Sequence, residues 1–251
     1  MSPKRPGKLL LRPPSDDCAA RLFCFPYSGL GASMFGRWPR RFDDIDVCLI
    51  QPPARENRMR DPHFGTYEQL AEEVVDGLAP LLDRPFGLFG HCGGALAAFA
   101  TALLLAEQSL PAPQCLFVSS QVAPHDGPFG RFLSMSDDEL EVELADLTRA
   151  LGAEPQPEIL AMSLRVLRAD VTANQRYRLD APRILPGGLC AIGWHADPEI
   201  RPDQMTGWHS YATPDRFSRV VLPGSHYEFL SAPDPLLREL SRGLRPVTME
   251  V

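Results

Sequence analysis

The chain has 251 residues, 44% hydrophobic and 23% charged, which suits one soluble globular domain. Its net charge of -7 argues against nucleic acid as a partner, because neutralising phosphates takes a concentrated basic face. No apolar run approaches the roughly 20 residues that span a membrane, and Leu9 to Leu11 is too short a stretch for a signal peptide.

In chain order, residues 1–19 read as a flexible arm and 20–251 as a single α/β domain. Arg21–Phe25, Val47–Ile50, Phe86–Phe89, Gln114–Val118, Leu189–Ile192 and Arg219–Leu222 are short apolar runs with few charges. That is the pattern of parallel strands covered on both faces. Thr66–Leu82 has apolar residues at Leu70, Val74, Leu78 and Leu81, and Thr66 with Gln69 forms a capping box. Gly94–Ala106 is apolar almost all round, so it reads as a buried helix. Alternating strands and helices predict a doubly wound, mostly parallel sheet. From about 125 to 186 the alternation stops and two or three helical patterns replace it, the first capped by Ser136 and Glu139. Such an insertion is expected to form a lid.

The six cysteines are Cys18, Cys24, Cys48, Cys92, Cys115 and Cys190. They contain no C-x-x-C pair, and with the histidines they show no zinc spacing, so no metal is expected. Reduced thiols in a cytoplasmic protein are the simplest reading. Cys24, Cys48, Cys115 and Cys190 lie in apolar runs, as core thiols do. Cys92 differs: Gly90-His91-Cys92-Gly93-Gly94 stands between a strand and a helix. The pattern G-x-C-x-G there matches a nucleophile elbow, with cysteine in the usual serine position. The helix N-terminus behind it would favour a thiolate and a developing oxyanion.

A nucleophile of this kind needs a base and a group that orients the base. Asp197 follows one predicted strand and His226 follows the last. Their order, nucleophile then acid then histidine, is that of α/β-hydrolases, and strand C-terminal ends are where open α/β sheets hold their sites. Asp126 is the competing acid. His91 should point away from Cys92, His195 should be structural, and His63, His125 and His209 should lie on the surface or in loops.

Taken together, these motifs resemble the type II thioesterases of nonribosomal peptide and polyketide assembly lines. The resemblance covers about residues 20–240. It is carried by Phe25-Pro26-Tyr27-Ser28-Gly29-Leu30-Gly31, Pro53-Ala54-Arg55-Glu56, Gly90–Gly94, Arg168-Ala169-Asp170, Tyr177-Arg178, Gly193–Pro198 and Gly224–Leu230. It implies an α/β-hydrolase fold, a monomer, and acyl substrates carried on the phosphopantetheine of an acyl or peptidyl carrier protein, with no cofactor of the enzyme's own. It also implies an oxyanion hole from the backbone N–H groups of Ser28 and Gly93. Three positions depart from the family pattern: Cys92 replaces serine, Gly93 replaces methionine, and Tyr27 replaces histidine in the site wall, where it would bear on substrate binding.

Cysteine changes the chemistry. Passing an acyl group from one thiol to another is nearly thermoneutral, so an acyl or aminoacyl transferase between carriers stands beside hydrolysis. A non-catalytic binding protein on the same scaffold is a further alternative. Arg37, Arg40, Arg41, Arg55, Arg58 and Arg60 make the first quarter basic and read as a solvated face rather than a docking surface.

Overall fold

The structure is a computed structural model and describes residues 8–245. Its strands are β1 (Ala20–Phe25), β2 (Arg41–Phe42), β3 (Ile45–Leu49), β4 (Phe86–His91), β5 (Cys115–Ser119), β6 (Gly188–Trp194) and β7 (Phe217–Leu222). They form one sheet in the order β2-β3-β1-β4-β5-β6-β7. The short β2 pairs antiparallel with β3, and every other pairing is parallel. Parallel neighbours need crossovers. Two of these are supplied by α1 (Tyr67–Leu78) and α2 (Gly93–Glu107), which pack on each other and on the sheet.

Side chains alternate across the sheet. On β1, Phe23 and Phe25 enter the layer shared with α1 and α2, while Leu22 and Cys24 enter the opposite one. That opposite layer is closed by α5 (Asp234–Gly243), through Leu236 and Leu240, and by residues inserted between β5 and β6. The insertion contains a 3-10 turn, Arg131–Ser134, then α3 (Asp137–Ala150) and α4 (Pro157–Arg176). Its Phe132, Leu140, Leu144 and Leu167 share a core cluster with Cys92. The sequence of α2, GGALAAFATALLLAE, is dominated by small residues, which let the helix settle closely on the sheet.

The mostly parallel α/β sheet matches expectation, with strand ends shifted by a residue or two. Both expected capping boxes form, at Thr66 with Gln69 and at Ser136 with Glu139. Two elements were not anticipated. β2 is two residues long, too short to leave a pattern. α5 buries Leu236 and Leu240 at helical spacing. Of the segment expected to be a flexible arm, residues 1–7 lie outside the described residues. Leu9 and Leu10 are buried. The Leu11 N–H donates to Leu49 (3.0 Å) and the Gln51 N–H to Leu9 (2.7 Å). This part is packed against the sheet rather than free.

The Thr66 hydroxyl oxygen accepts from the Gln69 N–H (3.3 Å), and Gln69 Oε1 accepts from the Thr66 N–H (3.2 Å). Thr66→Ala should lower stability by about 1 kcal/mol in urea denaturation and leave the helix content measured by circular dichroism unchanged, since α1 stays in place.

Candidate active site

β4 runs directly into Cys92, and α2 starts at the next residue. Cys92 has φ 51 and ψ -123, a conformation that costs a non-glycine residue on the order of 1–3 kcal/mol. The two neighbouring glycines permit it. A Cβ on Gly90 would collide with the Gly94 carbonyl, and one on Gly94 would lie 2.7 Å from the Phe25 and Pro26 carbonyls. The elbow is pinned by the Cys92 N–H, which donates to Ser119 (2.9 Å).

His226 and Asp197 follow β7 and β6, beside the elbow. His226 Nδ1 contacts both carboxylate oxygens of Asp197, at 2.9 and 3.1 Å. The acid is otherwise saturated: it accepts from the Ser120 hydroxyl (2.7 Å) and from the Glu199 (2.8 Å) and Ile200 (3.1 Å) N–H groups. Burial opposes its charge, yet His226 and Ser120 hold it below the ordinary carboxylate range. With Nδ1 turned to the acid, Nε2 is the atom left for the thiol. Burial disfavours a charged ring, but Asp197, then Cys92 and Glu199, outweigh it and lift His226 to about 10.

A strained residue at a strand-to-helix turn, with a carboxylate and a histidine just past the ends of two later strands, has the layout of a nucleophile elbow with its acid and base. The thioesterase domain family matches residues 20–244. The chain belongs to that family. The gramicidin S biosynthesis protein GrsT of Aneurinibacillus migulanus is 32% identical over 90% of this chain and 90% of its own. RedJ, a thioesterase of the prodiginine pathway in Streptomyces coelicolor, is 36% identical, with TM-score 0.77 over 90% of this chain and 91% of its own. YbtT, a type II thioesterase from the yersiniabactin pathway, is 25% identical, with TM-score 0.79 over 94% and 96%.

Within this thioesterase fold, other expected residues fall as follows. The Ser28 side chain abuts Gly93, and among the described residues no acceptor takes either backbone N–H. Tyr27 is fully buried, with its ring edge-on to His226 at 5.8 Å and to Tyr227 at 6.1 Å. Burial, then the neighbouring Cys92, pushes its hydroxyl well above the ordinary phenol range. Asp126 neighbours His125 and Gly207, whereas the carboxylate on His226 Nδ1 is that of Asp197. His195 is exposed. The described residues hold no cluster suited to a metal ion, and no helix among them is long and apolar enough to cross a membrane.

One expected surface needs correction, and two histidines have partners that the sequence did not show. His91 neighbours the base: its Nε2 lies 3.4 Å from His226 Nε2, and its ring stacks on Phe229. Burial, then the charge on His226, lowers its pKa well below the usual value, so it packs there as a neutral ring, held by Ser119 (2.9 Å). His63 lies in a loop, as expected, and there it bonds Asp170 (2.7 Å). Arg55 and Arg58 are buried at 6% and 7% exposure, so the basic residues do not form one solvated face; Arg55 faces Asp170 and Arg58 faces Asp61 and Glu73.

Glu199 went unnoticed in the sequence. Its carboxylate lies 3.6 Å from His226 Nε2 and 2.9 Å from Arg131 of the insertion. A cavity of about 260 Å³ opens here, lined by Arg131, Pro198, Glu199, Ser225, His226 and Tyr227. The one available signal was position, two residues after Asp197.

Because the folded pKa of His226 is raised, its contribution to stability is complete below the ordinary value of 6.5 and fades as pH rises through about 10. The gap in melting temperature between wild type and His226→Gln should therefore be widest near pH 6 and close toward pH 10. A gap that is constant over that range would contradict the assignment.

Proposed function

We propose that the protein is a type II thioesterase of nonribosomal peptide or polyketide biosynthesis. It cleaves acyl thioesters from phosphopantetheinyl carrier proteins through an acyl intermediate on Cys92. One observation carries this reading: the nucleophile elbow at Cys92, served by the Asp197–His226 pair. The likeness to YbtT, a type II thioesterase from an NRPS/PKS pathway, and to the thioesterase RedJ supports it.

His226 draws the thiol proton through Nε2, and the Cys92 sulfur attacks the thioester carbonyl. The N–H groups of Ser28 and Gly93 receive the oxyanion, a contribution commonly worth about a hundredfold or more. The intermediate collapses, the bond to the pantetheine sulfur breaks, and His226 returns the proton to that leaving thiol. The acyl group is now on Cys92. Water, deprotonated by His226, then attacks the same carbonyl. Free acid leaves, and Cys92 takes the proton back. The cavity beside His226 and Tyr227 is the approach for the pantetheine arm, and Tyr27 walls the acyl group. No step calls for a cofactor.

A second reading is favoured by the same residues. Acyl-Cys92 is still a thioester, so a second carrier thiol can take the group at little free-energy change. Transfer between carriers, of acyl or aminoacyl groups, is therefore the alternative.

An acyl carrier protein, followed by intact mass with and without a second empty carrier, separates these. Free acid without the second carrier identifies a thioesterase. An acyl group held on the enzyme until the second carrier arrives identifies a transferase. Cys92→Ala should lower either turnover by at least about a thousandfold. A wild type that leaves the acyl carrier untouched would refute both.

A further inference from the structure

The turn that carries Ser28 is gripped from outside. The Leu30 N–H donates to the Tyr27 carbonyl (3.1 Å), which closes a four-residue turn, and Gly29 at its third position has φ +79. That value marks a type II turn, which differs from type I by a flip of the central peptide. The flip determines where the Gly29 N–H points, and here it points at Asp170 Oδ2 (2.7 Å). Asp170 lies on α4, 3% exposed.

Arg55 completes the grip. It holds both Asp170 oxygens, at 2.8 and 2.9 Å, and donates to the Leu30 carbonyl (3.0 Å). His63 takes up Asp170 Oδ1. The two residues that follow Ser28 are thus fixed by one buried ion pair, the N–H of Gly29 by the carboxylate and the carbonyl of Leu30 by the guanidinium. The peptide that carries the Ser28 N–H is fixed in turn, because its carbonyl is that of Tyr27. Leu167, one turn earlier on α4, packs where a Cβ on Gly29 would stand.

We infer that Asp170, together with Arg55, is a positioning residue that orients the Ser28 N–H toward the oxyanion, so that a helix of the insertion completes the oxyanion hole. The inference rests on the thioester reading above. Removing the carboxylate releases the Gly29 N–H and the guanidinium that holds the Leu30 carbonyl, so the turn as a whole, with the Ser28 N–H, can shift without any change at Cys92, His226 or Asp197. Burial by itself would raise the pKa of Asp170, but Arg55 and then His63 hold it at about 2. The charge on which the grip depends therefore persists at working pH.

A merely structural ion pair would also weaken the fold when broken, so the test separates chemistry that forms an oxyanion from chemistry that does not. Alkylation of Cys92 by iodoacetamide forms none. Cleavage of the acetyl thioester of N-acetylcysteamine does, and so does addition of hexanal to Cys92 as a hemithioacetal. Asp170→Asn should lower kcat about 10- to 100-fold with KM changed less than about twofold. It should weaken hexanal binding about tenfold and leave the alkylation rate within about twofold of wild type. Leu144→Ala, which loosens α3 away from the clamp, should lower stability but not shift the ratio of cleavage to alkylation. If Asp170→Asn does not fold, Arg55→Lys is read the same way. A wild-type ratio in these clamp variants, or cleavage and alkylation falling together, overturns the inference. If the wild type cleaves no thioester, the proposed function fails while the hexanal and iodoacetamide comparison still decides the clamp.

Discussion

Cys92 sits at φ 51 and ψ -123, and the position of this one strained residue determines what the rest of the fold must supply. A side chain lifted above the end of β4 needs bare backbone on either side, hence Gly90 and Gly94. It needs a rigid strand below and a buried helix behind, hence the apolar β4 and the alanine-rich α2. Strain of that size persists only where the surroundings over-determine it. Parallel neighbours on both sides of β4 do so, and the same parallel order brings the ends of β6 and β7 alongside, where Asp197 and His226 stand.

Electrostatics then decide what the elbow can do. Asp197 and Glu199 approach opposite nitrogens of His226, one at Nδ1 and the other near Nε2. Between them they stabilise an imidazolium against the cost of burial. His91, packed neutral against the ring, adds no competing charge. Arg131 balances Glu199 and links the site to the inserted helices. A second buried ion pair, Asp170 with Arg55, links another of those helices to the turn after β1. The insertion therefore meets the site at two charged points, one beside the base and one at the turn after β1. Buried pairs contribute little net stability, so geometry is the more natural return for keeping them.

Much of this was legible in the sequence because it is local. Strands covered on both faces leave apolar runs, and Gly90-His91-Cys92-Gly93-Gly94 needs all its glycines within five residues. Asp197 and His226 were found by their order and their place after strands. What escaped depends on contacts between distant residues. Nothing near Glu199 indicates that its carboxylate will face a ring 27 positions later. Arg55, His63 and Asp170 read separately as a surface arginine, a loop histidine and part of a motif. Only the fold buries them together. The contact of His91 with the base escaped for the same reason: its partner, His226, arrives on the loop after β7.

The central claim is that Cys92 carries the acyl group, and mapping the adduct tests it most directly. The enzyme would be mixed with an acyl carrier protein, quenched in acid within the first turnovers, digested, and its peptides weighed. The account predicts an added acyl mass on the peptide containing Cys92, absent from Cys92→Ala and removed by hydroxylamine. Turnover of the carrier with no adduct on Cys92, or with the acyl group on another residue, would contradict it.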